Sequence, residues 1–462
     1  MPNSQQHSQF RLLAQRRFGP FFATQLAGAF NDSFLKQLVI LLVTFHATDY
    51  TSLSTGLVTN LAAGLFILPF VLFSAFAGQL ADRYEKSQVI RIVKTVELVI
   101  MLAVSAGFYF KNLPTLLTCI FAMGCHSAFF GPVKYSILPR VLQQDELIGG
   151  NGLLEMGTFL SILGGTLAAG IMVATTTSPM SLSLAVTGVA ICGLISSLYI
   201  PPTGEAAPDL KVHFSMVSET IATLKLAFNE GKGVWTSLLA ISWFWFIGAV
   251  LLSQIPALGK DLLKGDTSVV TIMLAVFSVG VAIGSLLCES LSKHKVEIGL
   301  VPVGSIGLTL FIADLALSSL QFSKLSTLVP SASMLVWNEF LATSGSWRVL
   351  LDITLVGLFG GLFIVPLYAY VQTNTHVQRQ SRIISANNIL NALFMVVAAG
   401  MSAALLATGM SVTGLIFVCA GLNILTAVYF HRAMPELFVH FLSWLTPYKV
   451  SIQKLCGRPS SN

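Results

Sequence analysis

The chain has 462 residues, of which 54% are hydrophobic and 10% charged, with a mean hydropathy of +0.79 and a formal net charge of +6. Soluble domains carry about a quarter charged residues, so a soluble enzyme or binding module is excluded. Each helical crossing of a bilayer takes about 20 residues, and the apolar runs accommodate about twelve, which predicts an all-α polytopic membrane protein.

Arg11, Arg16 and Arg17 precede the first apolar run. That run is longer than a signal-peptide core and has no small-residue cleavage site, so it is expected to be a first span. It contains Asn31, Asp32 and Lys36. An ionisable group inside a span is costly unless it faces a partner or a watery cavity. Asp32 and Lys36 share a helical face and can pair. Gln25, Gly28, Asn31 and Ser33 add more polarity than one ion pair needs, which points to a helix lining a polar path.

Further spans are predicted at about 55–81, 88–110, 113–138, 147–173, 179–200, 233–258, 268–290, 297–320, 349–372, 383–407 and 412–431. The organisation expected is a six-helix bundle over 1–200, a linker over 201–232, a second bundle over 233–431 and an interfacial tail over 432–462. The linker starts rich in Pro and Gly and continues as an amphipathic surface helix. Of the 26 Lys and Arg, 20 fall to one side of these spans, 5 to the other, and Lys36 lies within one. The bias puts both termini and the linker in the cytoplasm, and it accounts for the net charge without nucleic acid.

The two halves repeat weakly. Pro132 and Pro366 end the fourth and tenth spans, and Asn151 and Glu155 match Asn387 and Asn391. Asp82 and Lys86 match Glu289 and Lys293 in the equivalent loop. Paired halves put a substrate path at their interface, near the midplane. For the asparagines, hydrogen bonding between helices competes with ligand contact. For Glu155, a ligand or gating role competes with a structural ion pair. Lys134 follows Gly131-Pro132, where the helix is loosened; it either snorkels to the surface or points inward as a cation suited to phosphate. In the third span, Lys94 and Glu97 can pair along the helix. His126 is expected to be a hydrogen-bonded core residue, and Asp314 and Asp352 interfacial.

Six scattered cysteines without a C-x-x-C spacing predict neither disulfides nor a metal site. No G-x-S-x-G elbow or G-x-x-x-x-G-K loop is present, nor a His followed five residues later by Asp. Neither enzymatic activity nor a cofactor is expected.

Gly78-Gln-Leu-Ala-Asp82-Arg83-Tyr84-Glu85-Lys86 resembles the G-x-L-a-D-R-x-x-K loop of the major facilitator superfamily. By that resemblance Gly78, Asp82, Arg83 and Lys86 form a conformational latch, and the fold is the major facilitator fold of two six-helix pseudo-repeats. The stretches AGAFNDSFLK, FFGPVKYSILP, DELIGGNGLLE, GLFGGLFIVPLYA and ISANNILNALFM resemble its lysophospholipid transporter branch. The similarity is greatest to the transporter portion of proteins fused to a phospholipid acyltransferase. The resemblance implies inward movement of a lysophosphatidylethanolamine-like lipid across a bacterial inner membrane, and allows for a separate acyltransferase partner. Asp32 and Lys134 match the residues that handle the lipid; Lys36, Asn151, Glu155, Asn387 and Asn391 complete the expected substrate contacts. Export of another amphiphile, such as a drug or siderophore, and a non-transporting scaffold for an acyltransferase remain alternatives.

Overall fold

The computed structural model describes residues 8–46, 50–293, 295–326 and 334–445. The six helices of the first half are α1 (Gly19–Phe45), α2 (Thr55–Arg83), α3 (Lys86–Tyr109), α4 (Leu113–Ser136), α5 (Leu147–Thr175) and α6 (Pro179–Leu198). A surface helix, α7 (Met216–Asn229), precedes the second half. That half holds α8 (Lys232–Ala257), α9 (Thr267–Ser292), α10 (Leu300–Ser326), α11 (Ser346–Asn374), α12 (Gln380–Ala407) and α13 (Val412–Ala433). A last helix, α14 (Glu436–Leu445), follows. Among the described residues, eleven helices are long and apolar enough to cross a membrane. The twelfth expected crossing is α3, which carries Lys86, Arg91, Lys94 and Glu97 and packs between α4 and α6. Residues 446–462 of the expected tail lie outside the described residues.

Local chemistry sets the helix ends. Ser54, Asn112, Asp266 and Ser411 each accept a backbone N–H from the first turn of the helix they precede, satisfying donors that a helix start leaves orphaned. Hydrogen bonds from Ser268 and the first-turn N–H groups hold the Asp266 carboxyl below its usual range. Glu85 caps α3 through the N–H groups of Ser87 and Gln88. Burial alone would raise its pKa, but bonds from Ser87, Thr203 and Gln88 outweigh that and lower it.

The pairings recur in both halves. In the first, α1 packs on α5 and α6, α2 on α4, and α3 on α6; in the second, α8 packs on α12 and α13, α9 on α11, and α10 on α13. The halves meet through α5 against α9 and α2 against α12. Glycine permits the closest approaches. A Cβ on Gly284 of α9 would strike Leu358 O, and one on Gly361 of α11 would strike Ser285 N. Such small-residue seams let van der Waals contact hold helices together where lipid gives no hydrophobic drive.

The segment after the first half folds back on α2. Ala207 N–H donates to Asp82 O, His213 N–H to Gln79 Oε1, and Gln79 Nε2 to Glu219 of α7. At the opposite end, Leu335 and Gly265 form a short parallel bridge between two loops. Helix α14 lies beneath the second half, where Trp444 Nε1 donates to Leu291 O and His440 Nδ1 lies 3.1 Å from Glu297 Oε1. The five described cysteines are free.

Two outcomes follow from this packing. Replacing Gly284 with Leu overfills the α9–α11 seam, a change that costs about 1–3 kcal/mol; the thermal midpoint of the purified protein should fall by several degrees, while Gly248→Leu, where a Cβ meets open space, leaves it unchanged. The second concerns α14. The bond with Glu297 raises the His440 pKa above 6.5; burial would raise that of Glu297, but the bond and charge of His440, the Gly299 N–H and the charge of Lys295 together outweigh it and take it below 4.5. The pair therefore stabilises docking fully between those ordinary values, losing it as pH rises through the raised histidine value or falls through the depressed carboxylate value. At mildly acidic pH, residues 436–445 of Glu297→Gln should exchange amide hydrogens faster than wild type, and the two should converge in alkaline buffer.

Candidate functional site

A cavity of about 520 Å³ lies mainly within the first half and reaches residues of the second. Along α1 it extends from Gln25 to Ile40, a length of about 22 Å at 1.5 Å per residue. Its polar wall carries Asp32 and Lys36 from α1 and Lys134 from α4. Phe66, Ile67 and Phe70 of α2 and Met395 of α12 form an apolar flank where the halves meet.

The charged residues are individually provided for. Ser127 donates to Asp32 Oδ2 at 2.7 Å, leaving the buried Oδ1 without a partner. Lys36 Nζ sits over the Phe66 ring, 3.9 Å from its centroid, a cation–π contact that partly replaces water. Lys134 points inward and donates to Thr158 Oγ1 at 2.8 Å, which answers the alternative left open by its place near a span end. Glu155 is fully buried behind the lining, with Tyr135 donating to Oε1 at 2.5 Å and Oε2 unpartnered.

Of the residues expected to contact substrate, Asp32, Lys36, Lys134 and Asn391 line the cavity. Asn391 accepts from Ser242 at 2.8 Å. Asn387 does not line it, its amide reaching Tyr368 Oη at 3.4 Å; its neighbour Asn388 takes the lining position. Asn151 lies in the seam between halves, exchanging hydrogen bonds with Gln372 at 2.7 and 3.1 Å. Its amide therefore does the work of interhelical adhesion.

At the end that bears both termini, the halves are closed on each other. Tyr135 and Tyr368 stack with centroids 4.0 Å apart and form part of the cavity lining. The loop residues sit at the same end. Asp82 accepts from Ser381 N–H at 2.9 Å, Arg382 N–H at 3.3 Å and Arg382 Nε at 3.0 Å, so a carboxylate meets the positive start of α12. Lys86 Nζ donates to Ala81 O and Ser381 Oγ, both at 2.9 Å. A Cβ on Gly78 would strike Ser385 Oγ. Arg83 turns to the Tyr84 ring, 5.3 Å from its centroid. The counterpart Glu289, whose sequence lacks the following arginine, is also engaged: it accepts Gln9 N–H at 3.1 Å across the seam.

Sequence reasoning missed Tyr368, Trp245, Asn388 and Gln9. Tyr135 stood in the quoted stretch FFGPVKYSILP, and Asn388 beside an expected residue. Nothing local distinguished Tyr368 or Gln9 from ordinary span and terminal residues.

Comparison with known proteins agrees with this architecture. The model for the Major Facilitator Superfamily matches residues 18–340. Lysophospholipid transporter LplT of Enterobacter sp. (strain 638) is 25% identical over 401 residues, covering 85% of this chain and 89% of that protein. The protein of the same name from Citrobacter koseri is 26% identical over 376 residues, covering 80% and 81%. Among solved structures, the human organic anion transporter MFSD10 superposes with a TM-score of 0.68 at 11% identity, covering 90% of this chain and 99% of its own. A bacterial homologue of the iron transporter ferroportin gives 0.64 at 14%, with the same coverage. The chain is a multi-pass membrane transporter, not an enzyme, and belongs to the Major Facilitator Superfamily.

Proposed function

We propose that this protein carries a lysophospholipid with an ethanolamine-type headgroup from the outer to the cytoplasmic leaflet of a bacterial inner membrane by alternating access. The observation that carries the reading is one cavity holding a carboxylate, Asp32, and an ammonium, Lys134, beside an apolar flank between α2 and α12. A zwitterionic headgroup needs both charges: Asp32 faces its ammonium, and Lys134 with Asn388 faces its phosphate. The flank of Phe66, Ile67, Phe70 and Met395 takes the single acyl chain. The similarity to lysophospholipid transporters supports the same substrate class.

The Lys and Arg bias favours a cytoplasmic location for the closed end, which leaves the cavity to receive lipid from the outer leaflet. Residues 1–200 and 233–431 act as the rocking units, joined by 201–232, with 432–462 as a surface tail. Gly78, Asp82, Arg83 and Lys86 then act as a latch that releases when the cytoplasmic end opens. The product is a lysolipid in the cytoplasmic leaflet, available to a separate acyltransferase. A scaffold has no use for a charged cavity of this kind.

Uptake of radiolabelled lysophosphatidylethanolamine by cells lacking their own lysolipid transporter tests the reading. Wild type should restore it, and Asp32→Asn and Lys134→Ala at equal abundance should each lower it at least about tenfold, the factor that 1.4 kcal/mol represents. Wild type present in the membrane but inactive on this lipid would remove the substrate assignment. A further variant tests the join between halves: a Cβ on Gly131 would strike Asn388 Nδ2. Because overpacking costs about 1–3 kcal/mol, Gly131→Val should reduce uptake about tenfold in the same assay, without loss of protein from the membrane.

A further inference from the structure

Behind α1 lies a charged cluster that neither the headgroup site nor the latch explains. Glu97 of α3 is wholly buried and has three partners: Lys94 Nζ at 2.6 Å, Asn31 Nδ2 at 3.0 Å and His126 Nε2 at 3.2 Å. The last is a close contact that is not a hydrogen bond. On its other side, His126 Nδ1 is 3.5 Å from Ser127 Oγ, and Ser127 donates to Asp32. His126 and Ser127 both line the cavity. A continuous series therefore runs from Asp32 through Ser127 and His126 to the buried Glu97–Lys94 pair.

The charged groups around His126 are few. Helix α3 supplies Lys94 and Glu97, α1 supplies Asp32 and Lys36, and Lys134 lies further along α4. Helix α2 packs against Gly124 through Phe66 and Pro69, and its charged residues, Asp82 and Arg83, are at its far end. Helix α12 brings Arg382, which is held to Asp82. Phe130 covers the ring in parallel, with centroids 6.2 Å apart.

Both ring nitrogens of His126 face oxygen atoms, Ser127 Oγ and Glu97 Oε2. Ser127 has one hydroxyl hydrogen and gives it to Asp32, so it turns a lone pair to Nδ1. The Glu97 carboxylate likewise offers only lone pairs to Nε2. A bare ring nitrogen on either side would set lone pair against lone pair, so the imidazolium is the form that suits both neighbours. Asp32, Lys36, Lys94 and Glu97 sum to zero, and the imidazolium adds one positive charge beside the site where a ligand ammonium docks.

We infer that His126 is a proton site linked to headgroup binding: an ammonium arriving at Asp32 displaces the His126 proton into the cavity water by way of Ser127 and Asp32. One N–H bond of the imidazolium breaks, its electron pair stays on the ring nitrogen, and water takes the proton. The positive charge leaving the histidine equals the positive charge of the ammonium that docks beside it, while the phosphate docks apart, at Lys134. The inference rests on the lysophospholipid reading above, and it adds to that reading a competition between proton and amine. Its sign follows from linkage: a ligand that expels a proton binds more tightly as pH rises, by at most about tenfold per pH unit, until the histidine is neutral.

The full chain, purified in detergent and lightly buffered, is titrated with lysophosphatidylethanolamine and with lysophosphatidylglycerol, which lacks the ammonium. A pH indicator counts protons, and affinity is measured at a series of pH values from about 5 to 8. Close to one proton should appear per lysophosphatidylethanolamine bound and none with lysophosphatidylglycerol, and His126→Gln should bind without proton release and with a flat pH profile. Lysophosphatidylethanolamine binding without proton release, or equal release by both lipids, overturns the inference and leaves the lysolipid reading standing. Binding of neither lipid overturns both. Should His126→Gln fail to fold, the wild-type proton count and the contrast between the lipids decide.

Discussion

A charge inside a bilayer-spanning helix must be neutralised, hydrogen-bonded or given water, because the hydrocarbon supplies none of these. The intramembrane charges of the first half meet that constraint in several ways. Glu97 is matched to Lys94 and Asn31, Lys134 is bonded to Thr158, Lys36 is covered by an aromatic face, and Glu155 and Asp32 are each half satisfied, by Tyr135 and Ser127. Of these two carboxylates only Asp32 lines the cavity, and on the function proposed above its unspent oxygen is what receives the ligand. The second half presents neutral groups, Trp245, Tyr368, Asn388 and Asn391, to the same space. Its Asp314 and Asp352 lie elsewhere, with Arg348 and Ser318. The charged lining therefore belongs to one half, and the other supplies a neutral wall.

The seam at the closed end obeys a different economy. It is made mostly of amide pairs, hydroxyls and helix-end contacts, with one ion pair, Asp82 to Arg382: Asn151 with Gln372, Ser136 with Ser381, Asp82 at the start of α12, and Glu289 with Gln9. Each neutral bond is worth about 0.5–1.5 kcal/mol net and each bond to a carboxylate about 1.5–3 kcal/mol, since water offers a substitute. A seam of many replaceable bonds can close firmly and still open. A seam of a few desolvated ion pairs would strand a buried charge each time it parted. The glycine contacts within each half, such as α9 on α11, have no watery alternative and stay packed.

The sequence revealed much of this because charge is rare in so apolar a chain. Asp32, Lys36 and Lys134 stood out, and the structure gathers them in one cavity. The repeat pairs of Asn151 with Asn387 and Glu155 with Asn391 fall on helices α5 and α12, which hold matching places in the two halves. What the sequence did not convey is rotation about each helix axis. A helix that is apolar on most sides gives no strong preferred face, so Asn387 and Asn388, about 100° apart on the helix, could not be sorted. Only packing against Gly131 and Tyr368 assigns one to the cavity and the other to the seam. Contacts between distant segments, such as Gln9 with Glu289, leave no periodic trace.

The placement of the Lys94–Glu97 pair shows why a buried ion pair is tolerated where an apolar pair would be cheaper. Removing one partner would leave a bare charge, and replacing both with apolar residues is often neutral or better for stability. Stability alone therefore does not explain it. Gly28 lines the cavity, and a Cβ there would come within 2.5 Å of Lys94 Nζ, so the ammonium lies directly behind the helix that bears Asp32, with no side chain between. His126 reaches the same pair from the other side. The cluster is thus separated from the cavity by one backbone on one side and one imidazole on the other. Low-dielectric surroundings carry a change of charge at Asp32 to Glu97 and Lys94 far more strongly than water would. Lys94 and Glu97 sum to zero, so the pair adds no net charge to the cavity; it sets the ammonium against Gly28 and the carboxylate against His126.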